Sequence, residues 1–242
     1  MSEILLCGAD ALGIELTPEQ VMLFDRYANA LLTVGRLSGV TAIGTKEGIE
    51  QRHFVESLAL ATALLRDGLL SFDAPTRVLD LGTGGGIPGL PLRILLPQLR
   101  LTLLDARERK TAFLQETTRS LELDDVEIVA GRAEEIARIP EYRESFDMVL
   151  ARAVAPLPVL LELSLPLLRV GGRLVTPKGS GLSGELQASE RALAMLGGEL
   201  VSHEPLAIPE GSGSQRLVIV RKTKSTPERF PRRPGIPSKR PL

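Results

Sequence analysis

From Arg77 onward the chain repeats one unit that few folds accommodate: a short apolar run, a turn bearing Gly or Asp, then a helical segment. The apolar runs are RVLDLG, LRLTLLDA, VEIVAG, FDMVLAR and GGRLVTPKG. The segments between them read as helices near PGLPLRILL, RERKTAFLQETTRSL, AEEIARI and PLPVLLELSLPLL. Strand runs alternating with helices call for right-handed βαβ units and a parallel sheet with both faces covered. Two last runs, ELVSHEPLAI and RLVIVRK, have only the turn-rich PEGSGSQ between them and predict an antiparallel hairpin closing the sheet. The expected fold class is α/β, a doubly wound, mostly parallel sheet.

The first 70 residues have a different texture. Residues 17–35 open on Thr17-Pro18 and place Val21, Phe24, Tyr27, Leu31 and Leu32 near helical spacing, and residues 48–66 do the same with Phe54, Leu58, Leu60 and Leu64. Three regions follow: a helical extension over 1–70, the sheet domain over 71–222, and an arm over 223–242. The arm's STPERFPRRPGIPSKRPL holds five prolines, so it is expected to be extended, without regular structure, and disordered in the free protein.

Composition narrows the chemistry. One cysteine, Cys7, cannot form an internal bridge, and two histidines, His53 and His203, are too few for a His/Cys metal cluster, so no metal is expected. No apolar run reaches membrane-spanning length and no signal-peptide order opens the chain, which points to a soluble cytoplasmic protein. The net charge of −1 hides an imbalance: residues 221–242 carry +7, with Arg229, Arg232, Arg233, Lys239 and Arg240 among them, and residues 1–220 carry −8. A basic tail on an acidic body suits a polyanionic partner.

In an open parallel sheet, ligands bind beyond the carboxyl ends of the strands, where the strand order reverses. The first strand ends in Asp80-Leu-Gly82-Thr-Gly84-Gly85-Gly86-Ile87-Pro88-Gly89, whose glycines let backbone approach a bound nucleoside. Gly84, Gly86 and Gly89 also match the dinucleotide fingerprint, so a nicotinamide enzyme stays open beside a methyltransferase. Asp80 tilts the choice, because a carboxylate there suits the cationic amino group and sulfonium of S-adenosylmethionine and would repel a pyrophosphate. Asp105 ends the second strand, placed to accept from ribose hydroxyls or to cap the next helix. Ala133 and Glu134 follow the third strand, where adenine would lie. Arg152 closes the fourth strand and calls for an anion, from cofactor, phosphate or base in preference to an internal salt bridge. Lys178 closes the fifth and is a candidate for an RNA backbone. Arg152 and Lys178 are the catalytic candidates, neither certain.

Chemistry sets several acceptors aside and leaves open a ring nitrogen with a free lone pair, such as guanine N7. Pyrimidine carbon-5 methylation needs a cysteine nucleophile, and Cys7 lies in the helical extension. Exocyclic-amine methylation usually accompanies an Asn/Asp-Pro-Pro-aromatic tetrapeptide, where this chain has Arg152-Ala-Val-Ala-Pro156. A guanine N7 carries a free lone pair and needs only alignment.

RVLDLGTGGGIPGLPLRILLPQLRLTLLDARERKTAFLQE, GRAEE, FDMVLARAVAPL and VGGRLVTPKG, with HFVESL before them and PRRPGIPSKRPL after, resemble the bacterial small-subunit ribosomal RNA guanine-N7 methyltransferase family over most of the chain. The resemblance implies a class I, Rossmann-like methyltransferase sheet, S-adenosylmethionine as cofactor, and 16S ribosomal RNA, within the small subunit, as partner of a monomer. It carries cofactor binding onto Gly82, Ile87, Asp105, Ala106, Arg107, Ala133, Glu134 and Arg152, beside Asp80, Gly84 and Gly86; Lys178, from its place, and the arm's basic residues, from their charge, are the expected RNA contacts. The chain departs from the family's pattern at Leu32-Thr33-Val34-Gly35 and Gly39-Val40-Thr41, and it has no tryptophan.

Overall fold

A computed structural model describes residues 3–209 and 215–242. Its centre is a seven-stranded sheet of β1 (Arg77–Leu81), β2 (Arg100–Asp105), β3 (Glu127–Ala130), β4 (Phe146–Ala151), β5 (Leu168–Lys178), β6 (Gly198–Pro205) and β7 (Arg216–Lys222). The order is β3-β2-β1-β4-β5-β7-β6. β7 alone runs antiparallel to its neighbours, inserted between β5 and β6. The expected closing hairpin is therefore present, although residues 210–214 of its PEGSGSQ turn lie outside the described residues. Strand order reverses between β1 and β4, and this sets the switch point where a ligand should bind.

Strand side chains alternate between two cores because successive Cβ atoms point to opposite faces. Val78, Leu103, Met148, Leu150, Val175 and Ile219 belong to one core; Leu79, Leu104, Val149, Leu174 and Val218 belong to the other. The first core is roofed by α5 (Gly89–Leu95), α6 (Glu108–Ser120) and the N-terminal extension. The second lies under α7 (Ala133–Ile136), α8 (Leu157–Ser164) and α9 (Leu182–Leu196). The sequence reading assigned no helix to 182–196. Gly181 and Gly197, both with left-handed φ, bound it at either end, and Ala192 and Leu196 bury against the sheet.

The extension comprises α1 (Glu3–Ala11), α2 (Pro18–Ala30), α3 (Lys46–Ile49) and α4 (Glu56–Arg66). Thr17 and Gln20 form a capping box at the start of α2. Gln20 Nε2 then donates to the Ile94 and Leu95 carbonyls, closing the end of α5. The two expected helices are each interrupted by a π-helical turn, Leu31–Gly35 after α2 and Glu50–Val55 before α4. Phe24, Tyr27 and Phe54 form an aromatic cluster in the same core as Leu90 and Leu103, so the extension shares its core with the sheet.

The expectation of an extended, disordered arm is corrected by the structure. Residues 223–242 fold back over α7 and α8 and end in the short α10 (Ile236–Lys239). The physical reason is a set of buried anchors that proline content does not reveal. Phe230 is buried in the second core. Arg143 donates to the Thr226 and Phe230 carbonyls at 2.9 and 3.0 Å, and Arg138 donates to the Pro231 carbonyl at 2.6 Å. Glu162, fully buried on α8, accepts from the Arg232 amide and guanidinium at 2.6–3.1 Å. Lys222, also fully buried, joins Glu144, which in turn accepts from the Thr226 amide.

Candidate active site

The C-terminal ends of β1, β2 and β4 meet at the switch point. After β1 the chain turns through Gly82, Gly84 and Gly86, all at positive φ, and a Cβ at Gly82 would stand 2.9 Å from Val154. An L side chain is therefore excluded there by strain and by space. Gly82 is exposed while Thr83 and Gly85 are buried, so one edge of the turn opens to solvent and the other is fixed to the core. Tyr27 of α2 helps fix it, donating its hydroxyl to the Gly85 carbonyl at 2.6 Å.

Asp80 lies at the head of this turn with no exposed surface. Its Oδ2 accepts from Thr83 Oγ1 at 2.7 Å and from the Gly89 amide at 2.9 Å, whereas its buried Oδ1 has no partner. Burial raises the carboxyl to about 7 against the pull of those two donors. A buried acceptor left open in this way suits a cationic group, which would restore the charge that burial opposes. The residues present thus fit the amino group of S-adenosylmethionine.

Asp105 ends β2, buried, and Ala106 and Arg107 follow it exposed. Asp105 Oδ2 accepts from the Gly84 amide at 3.0 Å and lies 3.4 Å from Lys110 Nζ; Oδ1 accepts from the Arg107 amide at 2.9 Å. The capping alternative is not realised, since Arg107 occupies the N-cap of α6 and no side chain caps it. The carboxylate instead ties the two turns together. Lys110 was not singled out by the sequence; its place four residues past a strand-ending Asp-Ala was the available signal. Ile87 is half-buried beside the glycine turn.

Ala133 and Glu134 begin α7, both buried. Glu134 Oε1 accepts from the Gly235 amide at 2.9 Å, so one side of its carboxylate belongs to the arm. Arg152 ends β4, and Ala153 follows in the left-handed region. The anion it meets is Glu56, 2.6 Å from its Nη2, with the Arg52 carbonyl at 2.7 Å. The preference for an external anion over an internal salt bridge is therefore corrected: the counter-charge comes from α4, 96 residues away in sequence. Glu56 was within the quoted HFVESL but was not singled out; an acid on an otherwise apolar helix face was the signal.

Two basic residues expected on RNA are held internally. Lys178 donates to the Ala155 carbonyl and to Glu185 of α9, both at 2.8 Å, and Glu185 also accepts from the Leu157 amide, so Lys178 braces the turn after β4. Arg232 is the partner of buried Glu162. Arg229, Arg233, Lys239 and Arg240 stay exposed. His53 hydrogen-bonds Thr41 through Nε2 at 3.0 Å, and burial lowers it to about 4; His203 lies on β6 facing Arg216.

The fold and the chain have close counterparts. The family model for GidB, rRNA small subunit methyltransferase G, matches residues 20–215. The chain is 42% identical to the ribosomal RNA small subunit methyltransferase G of Roseiflexus castenholzii, over 98% of each chain. To the protein of that name from Deinococcus radiodurans it is 43% identical, over 99% of this chain and 92% of the other. Among solved structures, the [4+2]-cyclase SpnF superposes with a TM-score of 0.55 over 86% of this chain and 97% of its own, at 17% identity. A Methanococcus maripaludis protein described as an S-adenosyl-L-methionine-dependent methyltransferase superposes at 0.54 over 79% and 93%, at 13% identity. At those identities the superpositions speak for the sheet and its helices, and the full-length relatives speak for the lineage. The chain belongs to the GidB family of rRNA small subunit methyltransferases and is an S-adenosylmethionine-dependent methyltransferase.

Proposed function

We propose that this enzyme methylates N7 of a guanine in bacterial 16S ribosomal RNA, acting as a cytoplasmic monomer on the assembled or partly assembled small subunit. The observation that carries the reading is the family match across residues 20–215, which spans the glycine turn, Asp105 and Arg152 together. Among the described residues no helix is long and apolar enough to cross a membrane.

S-adenosylmethionine, when bound, supplies an electrophilic methyl carbon. Asp80 would hold its amino group, Asp105 its ribose, and Ala133 with Glu134 at the start of α7 its adenine. Gly82 and Gly84 give room for backbone approach, and Ala106, Arg107, Gly86 and Ile87 complete the rim. N7 brings its own lone pair, so no residue has to remove a proton, and the chain's task is alignment. Arg152 cannot lie across both O6 and N7 during transfer, because that pairing would occupy the attacking lone pair.

The test is incubation of the purified protein with methyl-labelled S-adenosylmethionine and small subunits from cells lacking this gene, followed by nuclease digestion and mass spectrometry. A single labelled 7-methylguanosine is the expected result. Label on another atom or base overturns the acceptor; loss of all label overturns the substrate.

A further inference from the structure

The Arg152–Glu56 pair has hydrogen-bonding capacity that the fold does not use. Glu56 Oε2 accepts from Arg152 Nη2, but Oε1 makes no hydrogen bond among the described residues, and neither do Arg152 Nε and Nη1. The pair lines a narrow crevice together with Ser57, Pro88 of the glycine turn, Pro177 of β5 and Leu206. Arg152 also lies near enough to Asp80 to feel its charge, so the crevice adjoins the methyl-donor site.

Side by side, a guanidinium and a carboxylate present one donor followed by two acceptors. The Watson–Crick edge of guanine is the complement: O6 accepts, N1–H and N2–H donate. Adenine would set its N1 lone pair against the carboxylate, cytosine would do so with both N3 and O2, and uracil with O2. Each leaves a buried acceptor facing another acceptor, a mismatch that a polar site rejects strongly. A guanine held by that edge keeps N7 on its opposite side, which removes the conflict over Arg152 and the attacking lone pair.

We propose that Glu56 and Arg152 together read the Watson–Crick edge of the target guanine, with Glu56 setting the specificity. The inference rests on guanine N7 being the acceptor. The crevice holds about 10 Å³ in this structure, room for a single water, so the base enters only as the lining side chains move apart. The flat apolar faces of Pro88 and Pro177 then meet the purine rings.

Inosine keeps O6 and N1–H but lacks the N2 amine, so it isolates one of the contacts. Small subunits are reconstituted with 16S ribosomal RNA carrying either guanine or inosine at the labelled position, and methylation is followed in single turnover with enzyme in excess. The wild type is expected to act on inosine at least about tenfold more slowly, the loss of a hydrogen bond to a charged group. In Glu56→Gln the amide oxygen stays with Arg152 and its NH2 turns toward the base's donors, so guanine methylation falls and the guanine-to-inosine ratio drops toward one. Glu56→Asp keeps the carboxylate and is expected to keep the ratio above about threefold; should Glu56→Gln not fold, the wild-type comparison of guanine with inosine decides. A purely structural role for Glu56 would change both rates together, and an unchanged ratio in Glu56→Gln overturns the proposal. Equal wild-type rates on the two subunits overturn it too while leaving guanine N7 as acceptor. A wild type that labels no guanine overturns the underlying function instead.

Discussion

Asp80, buried, and His53, half-buried, are titratable groups whose charges work in opposite directions. Asp80 is raised to about 7 by burial from an ordinary 3.8. Between those values the native chain holds a proton that the unfolded chain has released, so the stability from this group falls as pH rises. His53 is lowered to about 4 by burial and by the Arg152 charge, from 6.5. Below pH 6.5 the unfolded chain takes up a proton first, and stability falls as pH falls. The free wild type should therefore change little between pH 5 and 7, while Asp80→Asn should grow more stable over that range. Urea denaturation at both values checks this; parallel profiles would exclude the assignment. The same carboxylate, ionised, is what a cation requires, so S-adenosylmethionine affinity should strengthen as pH rises from 6 to 7.5 and be weaker and flatter in Asp80→Asn, measured by calorimetry. Asp80 and Asp105 were legible in the sequence because each ends a strand at the edge where ligands bind. The partner of Arg152 was not, because it comes from a helix 96 residues away.

The sheet's elements announce themselves by alternation, yet α9 and the arm did not. Residues 182–196 place Leu182, Leu186, Leu193 and Leu196 at helical spacing between Gly181 and Gly197, so the signal for α9 was present in the sequence although the reading passed over it. In the arm, prolines forbid long regular structure but do not prevent docking, since a Pro-rich segment can be held by side chains that bond its carbonyls. Arg232→Ala would leave Glu162 buried without its partner and should cost about 3 kcal/mol. It should also speed amide exchange over residues 226–240; an unaltered unfolding midpoint with unaltered exchange would return the arm to the disordered state its composition suggests. Phe230→Ala removes the arm's apolar anchor and is expected to cost about 3 kcal/mol or more by thermal denaturation.

Across the molecule, the charge imbalance becomes a surface. Arg229, Arg233, Lys239 and Arg240 are exposed on a docked arm that touches the start of α7 through Gly235 and Glu134. Replacing the four by serine should weaken small-subunit binding at low salt and reduce the log–log salt slope by about three. Thermal stability should hold, because Arg232 keeps its buried bond. Equal salt slopes in variant and wild type would place the RNA contacts elsewhere. The succession of strands and helices, the glycine turn at the first strand's end and the basic tail followed from the amino-acid sequence alone, since each rests on local periodicity, backbone freedom or composition. Which charges remain free for a ligand was decided only by the tertiary structure. Arg152 and Arg232 each find a carboxylate far along the chain, while Lys178 finds one on the next helix, and a buried charge is satisfied by whatever the fold brings within hydrogen-bonding distance, a relation that no local pattern encodes.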